Sequence, residues 1–256
     1  MAQDSGSQRR AAAAAVKAEA SLAAQRDKRI KLFGGAAVAL VVIGIVAAGY
    51  FGAKSATPHA DATAAQPTGT LAETYGLPVQ PIDDTKSTLV VYEDPQCPIC
   101  KLFESAYGPT VTKFATDGLV NVVYQMATFI DDNLPQSNQA SRRAVAAMGC
   151  AVDQEAGLSY HSLIYATQPE TEGEGWTDEA LRVLGGQAGM SGDRLTAFQK
   201  CFDDGTYLGW ADNLNQYFRD KGIGGTPTVE LDGTIIPDDA LASVATFTAY
   251  VEKNAK

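Results

Sequence analysis

Thr88-Leu89-Val90-Val91-Tyr92-Glu93-Asp94-Pro95-Gln96-Cys97-Pro98-Ile99-Cys100 is the stretch on which the reading of this chain turns. It opens with a short apolar, β-branched run of strand type. It ends at a helical pattern that continues from Lys101 to about Phe114. Two cysteines separated by two residues at a strand-to-helix junction can close a small disulfide that opens readily. Cys97 then stands at the helix N-terminus, where backbone N–H groups and the macrodipole favour a thiolate. A thiol held in that form is a good nucleophile and a good leaving group in disulfide exchange. The other chemistry of this spacing is half of a zinc site, which needs a second Cys or His pair at ligand spacing. Cys150 and Cys201 lie far apart, and His59 and His161 form no pair. The spacing therefore favours redox chemistry, and no metal or other cofactor is expected.

Outward from this junction, Leu119 to Met126 reads as a second core strand, and a first strand lies near Leu77-Pro78-Val79. From Pro135 the pattern turns helical. Ser137 caps a helix through about Cys150, Tyr160–Thr167 is another, and Thr177 caps one that begins at Asp178-Glu179. Ser191–Phe202 and Leu208–Lys221 complete the block. Strands return at Thr228–Leu231 and Thr234–Ile236 around Asp232-Gly233, a strong hairpin signal. Leu241–Lys253 closes the chain as a helix. The order is β-α-β, a helical insertion over about 135–221, then β-β-α. Long helical crossovers join parallel strands and a two-residue turn joins antiparallel ones, so an α/β fold with a mixed central sheet flanked by helices is expected.

The 256 residues, 45% of them hydrophobic, suffice for one domain with additions. The net charge of −10 is unevenly spread: residues 1–70 carry an excess of basic groups and residues 71–256 a large excess of acidic ones. An acidic globular part argues against nucleic acid as a partner. Residues Leu32–Ala53 contain no charge. At 1.5 Å per residue such a run crosses a bilayer core of about 30 Å. Arg9, Arg10, Lys17, Arg26, Lys28, Arg29 and Lys31 precede it and only Lys54 follows closely, which places the N-terminus in the cytoplasm and the rest outside. A cleaved signal peptide is the alternative, disfavoured by the long leader and the length of the apolar run. The expected organisation is a basic, Ala-rich cytoplasmic tail (1–31), a transmembrane helix (32–53), a flexible linker with His59 (54–70) and an extracytoplasmic domain (71–256). Disulfides persist in that compartment, and all four cysteines lie downstream of the apolar run. Cys150 and Cys201 are read as a structural disulfide, worth roughly 4 kcal/mol in the chain-entropy model. A second redox couple is the alternative. His161 reads as a packed or solvated helix residue rather than a catalyst.

Glu93-Asp94-Pro95-Gln96-Cys97-Pro98-Ile99-Cys100 resembles the active-site stretch of DsbA-like thioredoxin-fold thiol–disulfide oxidoreductases, and Gly222-Ile223-Gly224-Gly225-Thr226-Pro227-Thr228-Val229 resembles their Gly-Thr-Pro segment. The resemblance covers roughly residues 75–254. It implies a thioredoxin fold with an inserted helical subdomain and a cis bond before Pro227. It also implies a substrate surface made by Thr226, Pro227, Pro98 and Ile99, where the backbone before the proline pairs with substrate as an added strand. In this scheme Cys97 is the exposed sulfur, attacked by a substrate thiolate to give a mixed disulfide. Cys100, one turn further in, is the buried resolving sulfur. Relatives often carry a buried acid six residues before the first cysteine. Val91 stands there in this chain, leaving Glu93, on the same strand face, or Asp94 as acceptor of the buried thiol's proton. Ile99 offers no side-chain donor, which implies a weaker oxidant than relatives with histidine at that place. The implied activity is the introduction of disulfides into secreted or cell-envelope proteins. The implied partners are reduced secreted substrates and a membrane reoxidising protein of the quinone-linked kind. A reductase or isomerase of the same fold, and a non-catalytic binding or holdase module with structural disulfides, are the competing readings.

Overall fold

The structure, a computed structural model, describes Asp61 and residues 63–256. The expected tail (1–31), transmembrane helix (32–53) and residues 54–60 of the linker lie outside the described residues. Among the described residues no helix is long and apolar enough to cross a membrane.

Five strands form one sheet in the order β1-β3-β2-β4-β5. They are β1 (Leu77–Pro78), β2 (Thr88–Glu93), β3 (Asn121–Met126), β4 (Thr228–Leu231) and β5 (Thr234–Ile235). β2 is central because it can be buried on both faces: Leu89, Val91 and Tyr92 are each 1% exposed or less. It runs parallel to β3, with Val91 opposite Tyr124 and Glu93 opposite Met126, and antiparallel to β4, with Val91 opposite Val229. The hairpin between β4 and β5 turns at Asp232 and Gly233, both at positive φ (49° and 77°), as a tight two-residue turn of this hand requires. β1 pairs antiparallel with β3.

The mixed sheet agrees with expectation, but one strand direction does not. Only the crossover through α1 (Pro98–Thr116) joins parallel neighbours. The helical block instead delivers β4 antiparallel to β2. β3 and β4 are separated by β2, so the handedness and direction rules for adjacent parallel strands do not constrain this long connection.

α1 buries Cys100, Phe103, Gly108, Val111, Phe114 and Ala115 on one stripe. It continues past Pro109, whose missing N–H costs little because Ser105, four residues earlier, is exposed and its carbonyl can turn to water. The block then contains α2 (Phe129–Asn133), a 3-10 turn (Pro135–Ser137), α3 (Ala140–Val152), α4 (Gly157–Ala166), α5 (Asp178–Gln187), α6 (Gly192–Asp203) and α7 (Leu208–Asp220). Ser137 does not cap α3: its hydroxyl donates to Asp131 Oδ1 at 2.7 Å, and Gln139 takes the N-cap position. Thr177 caps α5 as expected, accepting from Ala180 N at 3.1 Å. The last helix, α8 (Val244–Asn254), begins three residues later than its apolar pattern suggests, because Ser243 and Thr246 form a reciprocal capping box.

Trp210, Tyr160, Phe198, Leu181 and Leu214 fill the core of the block. Cys150 of α3 and Cys201 of α6 are joined by a disulfide with Cα atoms 5.8 Å apart. Asp61 and Thr68 are bonded to the same block. Asp61 N donates to Asn213 Oδ1, Asn213 Nδ2 donates to Asp61 O, both at 2.8 Å, and Thr68 N donates to Asp153 Oδ1 at 2.9 Å.

Candidate active site

Pro95 and Gln96 turn the chain from β2 into α1, and Cys97 stands at the N-cap with Pro98 in the first helical turn. Pro at this position loses only an N–H that has no partner within the helix. The turn is held by Asp94. Its carbonyl accepts from Cys97 N at 2.9 Å, and its carboxylate accepts from Gln96 N at 3.0 Å, Ile130 N at 3.1 Å and the Ser141 hydroxyl. Gln168, following α4, reaches in from the other side and donates to Pro95 O at 2.7 Å and Cys97 O at 3.0 Å. Gln96 Nε2 donates to Asp131 Oδ1 at 2.8 Å and to Ser141 Oγ at 2.9 Å. The cysteine loop is thus fixed by hydrogen bonds from α2, α3 and the end of α4.

Cys97 and Cys100 are free thiols, 6% and 0% exposed. The expectation of an openly exposed leading sulfur needs correction. The Thr226-Pro227 segment, joined by a cis peptide bond, covers it, and Cys97 Sγ donates to Thr226 O at 3.3 Å. Around this narrow opening the surface is apolar: Ile99 is 58% and Leu102 63% exposed. Pro98 is exposed, and Thr226 and Pro227 are half-buried. The structure therefore brings together Cys97, Cys100, Pro98, Ile99, Thr226 and Pro227.

The electrostatics separate the two sulfurs. The Cys97 thiol is lowered to about 7, chiefly by the Cys100 thiol that donates to it, with backbone N–H groups of Cys100 and Ile99 assisting and burial opposing. Cys100 is pushed well above the ordinary thiol value by burial and by the adjacent negative charge of Cys97 and Glu93. At neutral pH one sulfur is poised to ionise and the other holds its proton.

The two candidate acids diverge. Asp94 is tied to its three donors, and burial pushes its carboxyl upward against them. Glu93 points under the cysteines, fully buried, and burial raises it well above the carboxylate range. Its Oε2 lies 2.9 Å from His161 Nε2, and its Oε1 has no hydrogen-bond partner by geometry. Glu104, one turn beyond Cys100 on α1, faces the same cluster and is pushed up to about 8 by burial and by Glu93. Burial lowers His161. Tyr124 and Tyr165 close the cluster, their rings 4.1 Å and 5.1 Å from the His161 ring centre to centre. Glu93, Glu104 and His161 each bring one ligand-type atom within 4.8 Å of the others, a spacing that a metal ion also accepts. Within this cluster the direct contact is the His161 Nε2–Glu93 Oε2 hydrogen bond.

His161 is thus packed, but among polar groups. Sequence reasoning does not single out Glu104 or Gln168, and it reads His161 only as a packed or solvated residue. For Glu104 the signal was present: a charged residue four positions after Cys100 falls on the buried stripe of α1. Gln168 carried no such signal, since its partners are backbone carbonyls far away in sequence.

A family model described as Thioredoxin matches residues 82–253. The reduced form of DsbG, a disulfide bond oxidoreductase from Mycobacterium tuberculosis, superposes with a TM-score of 0.55 at 26% identity, covering 75% of this chain and 84% of that one. Reduced DsbA from Mycobacterium tuberculosis gives 0.55 at 28% identity, covering 65% and 81%. MdbA, a thiol-disulfide oxidoreductase from Actinomyces oris, shares the fold at 17% identity, with a TM-score of 0.59 over 74% and 90% of the two chains. Among curated proteins, serine/threonine-protein kinase PknE of Mycobacterium tuberculosis is 28% identical over 156 residues, which are 59% of this chain but only 27% of the kinase. With the fold, the cysteine pair and these likenesses in place, the chain belongs to the thioredoxin family and is a DsbA-like thiol–disulfide oxidoreductase.

Proposed function

We propose that this chain is a membrane-tethered oxidase that introduces disulfides into secreted or cell-envelope proteins. The observation that carries the reading is the asymmetry of the cysteine pair: Cys97 lowered to about 7 at the start of α1, Cys100 held protonated behind it. A substrate thiolate attacks Cys97 of the oxidised pair, and Cys100 leaves as a thiolate. A second substrate thiolate then attacks the substrate sulfur of the mixed disulfide. The substrate leaves oxidised and the enzyme retains two thiols. A depressed Cys97 value stabilises the reduced enzyme and so favours this direction. Thr226 and Pro227 with Pro98, Ile99 and Leu102 offer a largely apolar surface to an extended substrate segment.

The tether is the uncharged run Leu32–Ala53 with its basic leader, which puts the catalytic domain outside the cytoplasm. A membrane protein of the quinone-linked kind would restore the disulfide. The test combines the oxidised full chain with a reduced protein that needs disulfides to fold. Stoichiometric gain of native disulfides, absent in Cys97→Ser, supports the oxidase. Reduction of a disulfide substrate with no gain in oxidation makes it a reductase or isomerase, and no exchange in either direction leaves a binding module.

A further inference from the structure

The cysteine loop carries two prolines, and each removes a backbone handle. Pro95 and Pro98 have no N–H, so the peptide units Asp94–Pro95 and Cys97–Pro98 can be held only through their carbonyls. Cys97 stands at the N-cap of α1 without a side-chain hydrogen bond to the helix. Its carbonyl accepts the first helical bond, from Lys101 N, at 3.2 Å. The rest of its hold comes from Gln168. The two hydrogens of that amide serve two acceptors: Nε2 donates to Pro95 O at 2.7 Å and to Cys97 O at 3.0 Å. The backbone of Gln168 is anchored in return, because Lys101 Nζ donates to Gln168 O at 2.9 Å. Gln168 is 5% exposed, so water does not compete for these bonds.

The residues on the far side of the loop grip different atoms. Asp94, Asp131 and Ser141 hold the N–H and the side chain of Gln96. Among the described residues, Gln168 is the only side chain bonded to the Cys97 carbonyl. The plane of that peptide unit sets the orientation of the first turn of α1. The N–H groups of Ile99 and Cys100 in this turn favour the ionised form of the Cys97 sulfur. A tilt of the plane turns those donors away. The other groups that act on the sulfur are the Cys100 thiol, Thr226 of the cis-proline segment and the Glu93 carboxyl.

We propose that Gln168 is a positioning residue for the exchange reaction: by clamping the Cys97 carbonyl it holds the first turn of α1 in the orientation that stabilises a thiolate at Cys97. The proposal rests on Cys97 and Cys100 being the exchanging pair. Gln168 donates to neither sulfur; it acts through the backbone of the loop. A more stable thiolate stabilises the dithiol form, so the clamp makes the pair a stronger oxidant. The helical insertion, which supplies Gln168, thereby sets the electrostatics of the cysteines as well as covering them.

The test follows the Cys97 thiolate of the reduced full chain in detergent by its ultraviolet absorbance as pH is raised. The equilibrium of the pair with reduced and oxidised glutathione is measured beside it. The native thiol is half-ionised near pH 7. Gln168→Leu keeps most of the volume and loses both donors. Its Cys97 thiolate falls roughly tenfold at about pH 6, and at about pH 9 the glutathione equilibrium shifts by nearly the same factor toward the enzyme disulfide. A lower unfolding midpoint with the native thiolate curve and the native equilibrium makes Gln168 a structural residue only and overturns the clamp. Should Gln168→Leu not fold, Gln168→Asn, which keeps the amide but falls one methylene short, is read in the same two ways. A smaller shift in the same direction is expected, and none overturns the clamp. A native protein with no Cys97 thiolate below the ordinary thiol range and no equilibrium with glutathione sinks the exchange reading itself, whichever residue stands at 168.

Discussion

The molecule holds two cysteine pairs, and they behave differently because of what surrounds them. Cys97 and Cys100 are free, two residues apart along the chain, and stand over a nest of buried titratable groups. Cys150 and Cys201 are separated by 51 positions, bonded, and wedged between α3 and α6. Two arginines, Arg143 and Arg182, lie beside the second pair, yet neither offers a free charge to a thiolate. Arg143 is bound to Asp178, and Arg182 Nε donates to Asp203 at 2.8 Å. A helix start and a shared hydrogen bond favour ionisation at the first pair, while nothing comparable does so at the second. Proximity in sequence therefore marks the reactive pair only because it also puts one sulfur at a helix N-terminus.

The sharpest break in this comparison is removal of one sulfur from each pair. Cys97→Ser abolishes exchange, a loss of at least about a thousand-fold, because Cys100, the other sulfur of the site, is fully buried and is left without its partner. Among the four cysteines of the reduced but folded protein, Cys97 alone is alkylated quickly, with half its limiting rate near pH 7. Its depressed value adds stability to the dithiol form that is fully present above the ordinary thiol range and fades as pH falls through about 7. Cys150→Ser with Cys201→Ser costs roughly 4 kcal/mol in denaturant unfolding while leaving exchange per folded molecule intact. Loss of turnover with unchanged stability would make the second pair a redox couple and erase the distinction.

Next in size are the neighbouring acids. Asp94→Ala strands the N–H groups of Gln96 and Ile130 and the Ser141 hydroxyl, and costs about 3 kcal/mol at the usual penalty for buried unpaired donors. Glu93→Gln keeps the shape and removes the carboxyl that burial raises beside the cysteines, so it slows release of a glutathione carried on Cys97 more than it lowers the unfolding midpoint. If both variants only destabilise, Glu93 is a structural residue like Asp94.

Sequence reasoning reached the sheet, its helical insertion and the cysteine junction, because each rests on local signals: β-branched runs, Asp-Gly at the hairpin, Pro98 after Cys97. It stopped where partners come from afar. Whether Glu93 or Asp94 faces the cysteines is set by the β2–β3–α4 packing that brings His161 to Glu93, 68 positions apart, and no pattern along the chain encodes that. The narrow opening over Cys97 has the same origin, since Thr226 arrives from 129 residues away.

The finest contrast uses one substitution twice, at a glycine near each pair. At Gly149, beside Cys150, an added Cβ meets Pro67 Cγ and Tyr207 Cδ2 at 3.0 Å and Trp210 Cε3 at 3.1 Å. These are ring atoms held in a filled core, so Gly149→Ala costs about 1–3 kcal/mol by overpacking and leaves exchange unchanged. At Gly108, on the stripe below Cys100, the added Cβ meets only the flexible end of Glu104. The helix gains up to about 1 kcal/mol from replacing glycine, which offsets most of the cost of moving the carboxylate. Gly108→Ala therefore shifts the unfolding midpoint little, but it swings Glu104 toward water. There its carboxyl is better solvated and titrates below about 8, so the pH dependence of exchange at the cysteines above it moves down. A stability effect at Gly149 without a kinetic one, and the reverse at Gly108, is the signature of one pair built to hold and another built to exchange. Equal effects of both kinds at both glycines would mean that the two pairs share a single mechanical role.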